Sequence, residues 1–281
     1  MPLGKAAKYG YLNAHCHVVR SQLIDREKLK ELASSRSIGE LSSALNETAY
    51  APFITSISAE GIHHGLSRTF EHQRHRLLGF FKQRELEIFT LFFVKKYALL
   101  DDKNALINVS NPEEVFRQID KAYIDLLKKS LLVLPLSQRR QLKKMVGSYF
   151  DLLNLYNLVK FRLLYRQSVE ETLSYMLPFA AHFKMDELSS LCSVENLQAL
   201  SERVHGVLGG KFDSYDSFRK VLYRYHHRLL QSVWSGYPFS IALPFSLLRL
   251  IEIEMMDLRA ITEGVSFGLD PKEILSMTVG T

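Results

Sequence analysis

Along this chain apolar residues return every three or four positions in segment after segment, and the strict alternation of a half-buried strand is nearly absent. A chain patterned in this way buries its apolar surface by packing helix on helix, so the expected fold class is all-α. Helix starts are marked clearly. Ser37 with Glu40 and Ser168 with Glu171 fit the capping box, in which hydroxyl and carboxylate satisfy orphan backbone N–H groups at the start of a helix. Asn111-Pro112 and Asp270-Pro271 each put a cap residue before a proline at the first helical position, with Glu114 and Glu273 three residues beyond the cap. Period and punctuation together predict helices over about 6–23, 25–34, 38–48, 59–100 with a break near Gly79, 112–134, 137–166, 169–181, 194–204, 215–234, 244–264 and 271–277.

Repetition sharpens this reading. Asp151-Leu-Leu-Asn154-Leu155 precedes a helix carrying Lys160 and Arg162 and then the Ser168 cap; Glu254-Met-Met-Asp257-Leu258 precedes Arg259 and then the Asp270 cap. A weaker copy begins at Glu87, with Thr90-Leu91 and Lys95-Lys96, and Gly10-Tyr-Leu-Asn13-Ala14 resembles a fourth without its acid. A helical hairpin cannot bury its apolar stripe alone, so such units must stack on one another. The loop around Asp101 to Asn111 and the turn at Gly209-Gly210 are the best internal joints, which divides the chain into units over 1–105, 106–210 and 211–281, with the N-terminal helix able to close on the third.

With 47% hydrophobic and 23% charged residues over 281 positions, the composition is that of a folded globular protein. The formal charge of +6 is weaker than a dedicated nucleic-acid binder carries. The positive charge is concentrated: no acid falls between Asp125 and Asp151, while Lys128, Lys129, Arg139, Arg140, Lys143 and Lys144 do. That segment reads either as a solvated helix face or as a dock for an anionic partner or lipid headgroups. Two distant cysteines, Cys16 and Cys192, build no disulfide framework, and the N-terminus has no apolar signal core; both fit a cytoplasmic protein. The uncharged stretch between Arg228 and Arg249 is long enough to span a bilayer. Gln231, Gly236, Pro238, Pro244 and several serines interrupt it, so it reads as helix end, turn and helix start.

Sites of chemistry are harder to find. Gly206-Val-Leu-Gly-Gly-Lys211 has glycines and a lysine like a phosphate loop, but His205 stands where the first glycine belongs, and Phe212 stands where a Ser or Thr would reach magnesium. A helix C-cap and turn explain it better. His15-Cys16-His17 cannot converge on one ion from a helix, because residues two apart diverge. Glu60 with His63 and Glu202 with His205 match the Glu-x-x-His of di-iron bundles, but that site also needs inward glutamates from two further helices. His72 and His75 lack zinc-protease spacing, neither cysteine has a nucleophile's context, and Glu170-Glu171 and Glu252/Glu254 read as helix-start charges and one face of the repeat. The sequence thus nominates no catalytic residue, cofactor or metal ligand.

Three groups of residues carry a family resemblance. Lys8-Tyr-Gly-Tyr-Leu-Asn-Ala14, Arg20-Ser-Gln-Leu23 and Leu41-Ser-Ser-Ala-Leu-Asn-Glu-Thr-Ala-Tyr50 resemble the opening of the C-type stalk subunits of the archaeal and bacterial V/A-type ATP synthases, relatives of the d-type subunits of eukaryotic V-ATPases. Pro238-Phe-Ser-Ile-Ala-Leu-Pro244, Glu252-Ile-Glu-Met-Met-Asp-Leu-Arg259 and Gly268-Leu-Asp-Pro-Lys-Glu-Ile274 resemble that family's closing segment, and Asp151 to Leu155 with Ser168 to Glu171 its middle one. Thr90, His15 and His17 depart from the family pattern, and residues 56–135 match it poorly. The resemblance implies a pseudo-threefold helical funnel that rests on the membrane proteolipid ring and receives the rotor shaft. It implies a non-catalytic coupling role on the cytoplasmic side, with no cofactor and no small-molecule substrate. A helical-repeat adaptor or RNA-associated scaffold using the basic segment is the alternative.

Overall fold

The computed structural model describes residues 3–95, 112–236 and 238–280, and among the described residues there is no strand. The helices are α1 (Leu3–Ser21), α2 (Arg26–Ala33), α3 (Ile38–Leu45), α4 (Ala59–Leu78), α5 (Gln83–Thr90), α6 (Pro112–Leu132), α7 (Leu136–Asn157), α8 (Val169–Ser174), α9 (Met185–Leu191), α10 (Leu197–Leu208), α11 (Tyr215–Gln231), α12 (Ala242–Ser266) and α13 (Pro271–Met277). The protein is all-α, as its apolar period requires.

The caps form where the sequence marks them. Ser168 Oγ accepts from Glu171 N at 3.1 Å, and Glu171 Oε2 accepts from Ser168 N at 2.9 Å. Ser37 Oγ accepts from Glu40 N at 3.2 Å, but the Glu40 carboxylate takes Arg36 N, one residue ahead of the cap. Asp270 Oδ1 accepts from Lys272 N at 2.8 Å, with Pro271 opening α13. Asn111 and the expected joint at 101–111 lie outside the described residues, as do Lys96 and the end of the helix expected to 100. The break near Gly79 is present, and Gly209, at φ 73°, caps α10 with its N–H on His205 O.

Other boundaries differ for identifiable reasons. The helix expected over 137–166 leaves α geometry after Asn157 and continues as a wider π segment, Leu158–Leu164, which ends where Tyr165 N bonds Lys160 O and Arg166 turns left-handed at φ 58°. A second π segment, Leu91–Lys95, follows α5. The helix expected over 169–181 stops at Ser174, because the backbone beyond it is held by side chains of α7. Helix α9 is not among the expected helices, although Asp186 and Glu187 in its first turn and buried Leu188 and Leu191 are ordinary helix signals. Between Arg228 and Arg249 the chain does turn: α11 ends at Gln231 and α12 starts at Ala242, with Pro244 in its first turn. No helix among the described residues is long and apolar enough to cross a membrane.

The chain forms two compact units, Met1–Phe80 with Tyr215–Thr281, and Phe81–Ser214. In the first, α12 is the spine. It is buried nearly all round and is wrapped by α1, α2, α3, α4, α11 and α13, as expected for a helix whose apolar residues cover every face. In the second unit, α6 and α7 form an antiparallel hairpin with α5 against α6. A run of touching rings, Phe89, Phe93, Phe92, Tyr149, Phe150 and Phe179, with neighbouring centroids 5.0–6.1 Å apart, links α5, α7 and the irregular segment after α8. Gly147 lets α7 lie against the backbone of Ala180 and Ala181, where a Cβ would come within 2.5 Å of Ala181 N.

Candidate functional site

Each unit carries a pair of buried polar side chains, three residues apart on its long helix, that capture irregular backbone. In the second unit Asp151 accepts from His182 N at 3.0 Å and Phe183 N at 3.2 Å. Asn154 accepts from Leu177 N at 2.8 Å and donates to Leu177 O at 2.9 Å, doing for one residue's backbone what a helical neighbour would do. In the first unit Glu254 accepts from Ile24 N at 2.7 Å and from the Tyr50 hydroxyl at 2.6 Å. Asp257 accepts from Val279 N at 2.6 Å and Gly280 N at 2.8 Å.

The two pairs correspond in register. Asn154 takes the backbone N–H 23 residues on, and so does Asp257. Asp151 holds Phe183, just ahead of α9, while Glu254 holds Ile24, just ahead of α2. From there the buried residues pair at one constant separation: Leu29 with Leu188, Leu32 with Leu191, Ala33 with Cys192, Leu41 with Leu200, Ser42 with Ser201 and Leu45 with Val204. The segment that follows the second-unit hairpin in the chain is thus matched, in the first unit, by residues from the opposite end of the sequence.

Burial governs the electrostatics of these groups. It pushes the Glu254 carboxyl up to about 7, with the Tyr50 hydroxyl and Ile24 N–H pulling in the opposite direction. Asp257 is raised for the same reason, against the N–H groups of Val279 and Gly280. Tyr50 is raised well above an ordinary phenol by burial and by Glu254 beside it. Further along α12, Arg249 Nη1 donates to Glu252 Oε2 at 2.8 Å and Arg249 Nε to His226 Nε2 at 3.1 Å, with both members of the ion pair 4% exposed. Glu252 therefore does not share a face with Glu254, correcting the reading of the two carboxylates as one set. All of these acceptors hold the chain's own donors, so the arrangement fixes one helical segment against another.

The remaining sequence candidates separate clearly. Cys16 is fully buried, its thiol pushed up to about 12, and so stays protonated; His17 packs edge-on to Trp234 at 5.2 Å. Lys211 binds Glu202 at 2.7 and 2.9 Å, and His205 Nδ1 sits 2.8 Å from Glu202 O, which ties the glycine turn to its own helix. No group of three or more ligating side chains among the described residues could hold a metal ion. Of the basic run, Lys129, Arg140, Lys143 and Lys144 are exposed, and Lys128 is half-buried with its ammonium 3.8 Å from Asp125. Arg139 is turned inward: its guanidinium donates to Leu132 O at 2.5 Å and Leu134 O at 3.1 Å and so shapes the α6–α7 turn. The turn falls where the expected helices 112–134 and 137–166 part, but the run Leu131-Leu-Val-Leu-Pro-Leu136 between cations does not by itself reveal an exposed apolar tip; Leu132 is 61% exposed and Leu136 57%.

Fold and polar groups together define an all-α protein whose buried charges tie helical segments to one another. The family model of the ATP synthase (C/AC39) subunit matches residues 12–107 and 103–277, and the chain belongs to that family, which makes it a subunit of a V/A-type ATPase. The match runs through residues 56–135, where the individual motifs are weakest. No curated protein matches the chain.

Proposed function

We propose that the chain is a non-catalytic central-stalk subunit that couples the rotor shaft to the membrane proteolipid ring, transmitting torque for ion transport from the cytoplasmic side. Membership of the ATP synthase (C/AC39) subunit family carries this reading. The paired clamps at Asp151/Asn154 and Glu254/Asp257 support it, since a torque-bearing part needs helices that cannot slide, and buried, satisfied polar groups specify one packing. In this reading helical units over 1–105, 106–210 and 211–281 form the socket for the shaft, with the N-terminal helices closing on the third, as the compact unit of residues 1–80 with 215–281 allows. Lys129, Arg140, Lys143 and Lys144, which are exposed, and the half-buried Lys128 would make the partner contact, with Arg139 holding the turn that presents them.

The test is purification of the chain, tagged in its native cell, from detergent-solubilised membranes. Proteolipid ring and shaft proteins should accompany it in fixed stoichiometry. Their reproducible absence, with the other stalk proteins assembled together without the chain, would rule the assignment out.

A further inference from the structure

The turn between α6 and α7 combines two features that neither clamp explains. Helical spacing places Leu126, Lys129 and Leu132 in one stripe on α6, and Leu136, Arg140 and Lys143 in one stripe on α7. All six are exposed, and Val133 between the helices is 52% exposed. The opposite faces carry the core: Leu127, Leu131 and Leu134 from the first side, Leu142, Met145 and Val146 from the second. The apolar side chains at the tip are held outward by a fixed backbone, because Arg139 occupies the carbonyls of Leu132 and Leu134.

A second observation lies against the same hairpin. Lys128 and Lys143 meet Lys184, from the segment ahead of α9, around an open pocket of about 370 Å³ whose floor includes Phe179, Phe183 and Met185. Lysines beside an apolar lining, with Lys128 also 3.8 Å from Asp125, suit a ligand with an anionic head and a hydrocarbon body. No acid falls between Asp125 and Asp151, so the hairpin itself carries an excess of cations; Lys128 has Asp125 beside it, and Asp186 and Glu187 follow Lys184 and Met185 in α9.

We propose that this face docks on an anionic lipid bilayer. Leu132, Val133 and Leu136 enter the boundary between headgroups and acyl chains, the exposed cations lie at headgroup level, and the pocket ringed by Lys128, Lys143 and Lys184 takes a lipid phosphate. Apolar residues flanked by Lys and Arg are the combination that holds a peripheral element at a membrane surface. The proposal shares with the coupling role only its location beside a membrane, and the two can fail separately.

Flotation of the purified full chain with protein-free vesicles tests it, using phosphatidylcholine alone and phosphatidylcholine with one-third phosphatidylglycerol, at low and at physiological salt. Binding should be at least tenfold stronger to the anionic vesicles and should weaken with salt. Replacing Lys129, Arg140, Lys143 and Lys144 by Gln should reduce it at least tenfold, since each cation contributes about fivefold. Changing Leu132, Val133 and Leu136 to Ser should reduce it several-fold and leave the remaining binding more sensitive to salt. These side chains are exposed, so an unchanged circular-dichroism melt will show that both variants fold. Equal binding to neutral and anionic vesicles, no binding at low salt, or variants that bind like the wild type would overturn the proposal. So would a chain that ignores vesicles but still assembles with ring and shaft, which would assign the face to a protein partner and leave the coupling role standing.

Discussion

Glu254 shows how one buried side chain can set the pH response of the molecule. Its carboxyl titrates near 7 rather than near 4.5 because burial penalises the charge more than the Tyr50 hydroxyl and Ile24 N–H relieve it. The folded state then holds a proton that the unfolded chain releases, so this group's contribution is greatest below about pH 4.5 and is lost as pH rises through about 7. In Glu254→Gln the amide oxygen can still accept from Ile24 while the amide donates to the Tyr50 oxygen, and nothing titrates. The stability difference between wild type and variant, from urea unfolding at pH 5 and pH 8, should shift against the wild type at the higher pH by on the order of 3 kcal/mol. His15 and His227, both held low by burial, act in the opposite direction in each protein and cancel in the difference. At Gly147 the constraint is steric. An added Cβ would meet the backbone of Ala180 and Ala181 at 2.5–2.8 Å, so Gly147→Ala should cost about 2–3 kcal/mol in the same assay.

Among the elements, the α6–α7 turn depends on a single side chain. Arg139→Met keeps most of the aliphatic stem but leaves Leu132 O and Leu134 O without their charged donor. The turn should open locally at a cost of about 1–2 kcal/mol, read as roughly five- to thirtyfold faster amide hydrogen exchange across residues 131–139, with little change in the core of α12. The elements themselves were legible where local chemistry decides them. The caps at Ser37, Ser168 and Asp270, the break at Gly79 and the C-cap at Gly209 are all written in residues close in sequence. Elements decided by distant partners were not. Helix α8 is shorter than its pattern because Asn154 and Asp151 capture the backbone at Leu177, His182 and Phe183, and backbone N–H groups leave no trace in a sequence. The repeated Asp151/Asn154 and Glu254/Asp257 spacing was visible, but its use as a clamp was not. The exposed apolar tip at Leu132 and Leu136 went unread because exposure there depends on how α6 and α7 pack.

For the whole molecule, family and fold agree on a helical subunit of a V/A-type ATPase. The first unit draws its helices from both ends of the chain, with α2 and α3 taking the place along α12 that α9 and α10 hold by register along α7. Glu254 is the link in this closure that can be weighed by mutation. Stiffness achieved in this way matters only if torque passes through the chain. The most direct measurement is therefore ATP-driven ion transport in vesicles reconstituted with the complex lacking this chain. Transport should collapse without it, while ATP hydrolysis by the catalytic head persists, and adding the purified chain back should restore pumping. Pumping that stays coupled at the full level in its absence would contradict the account.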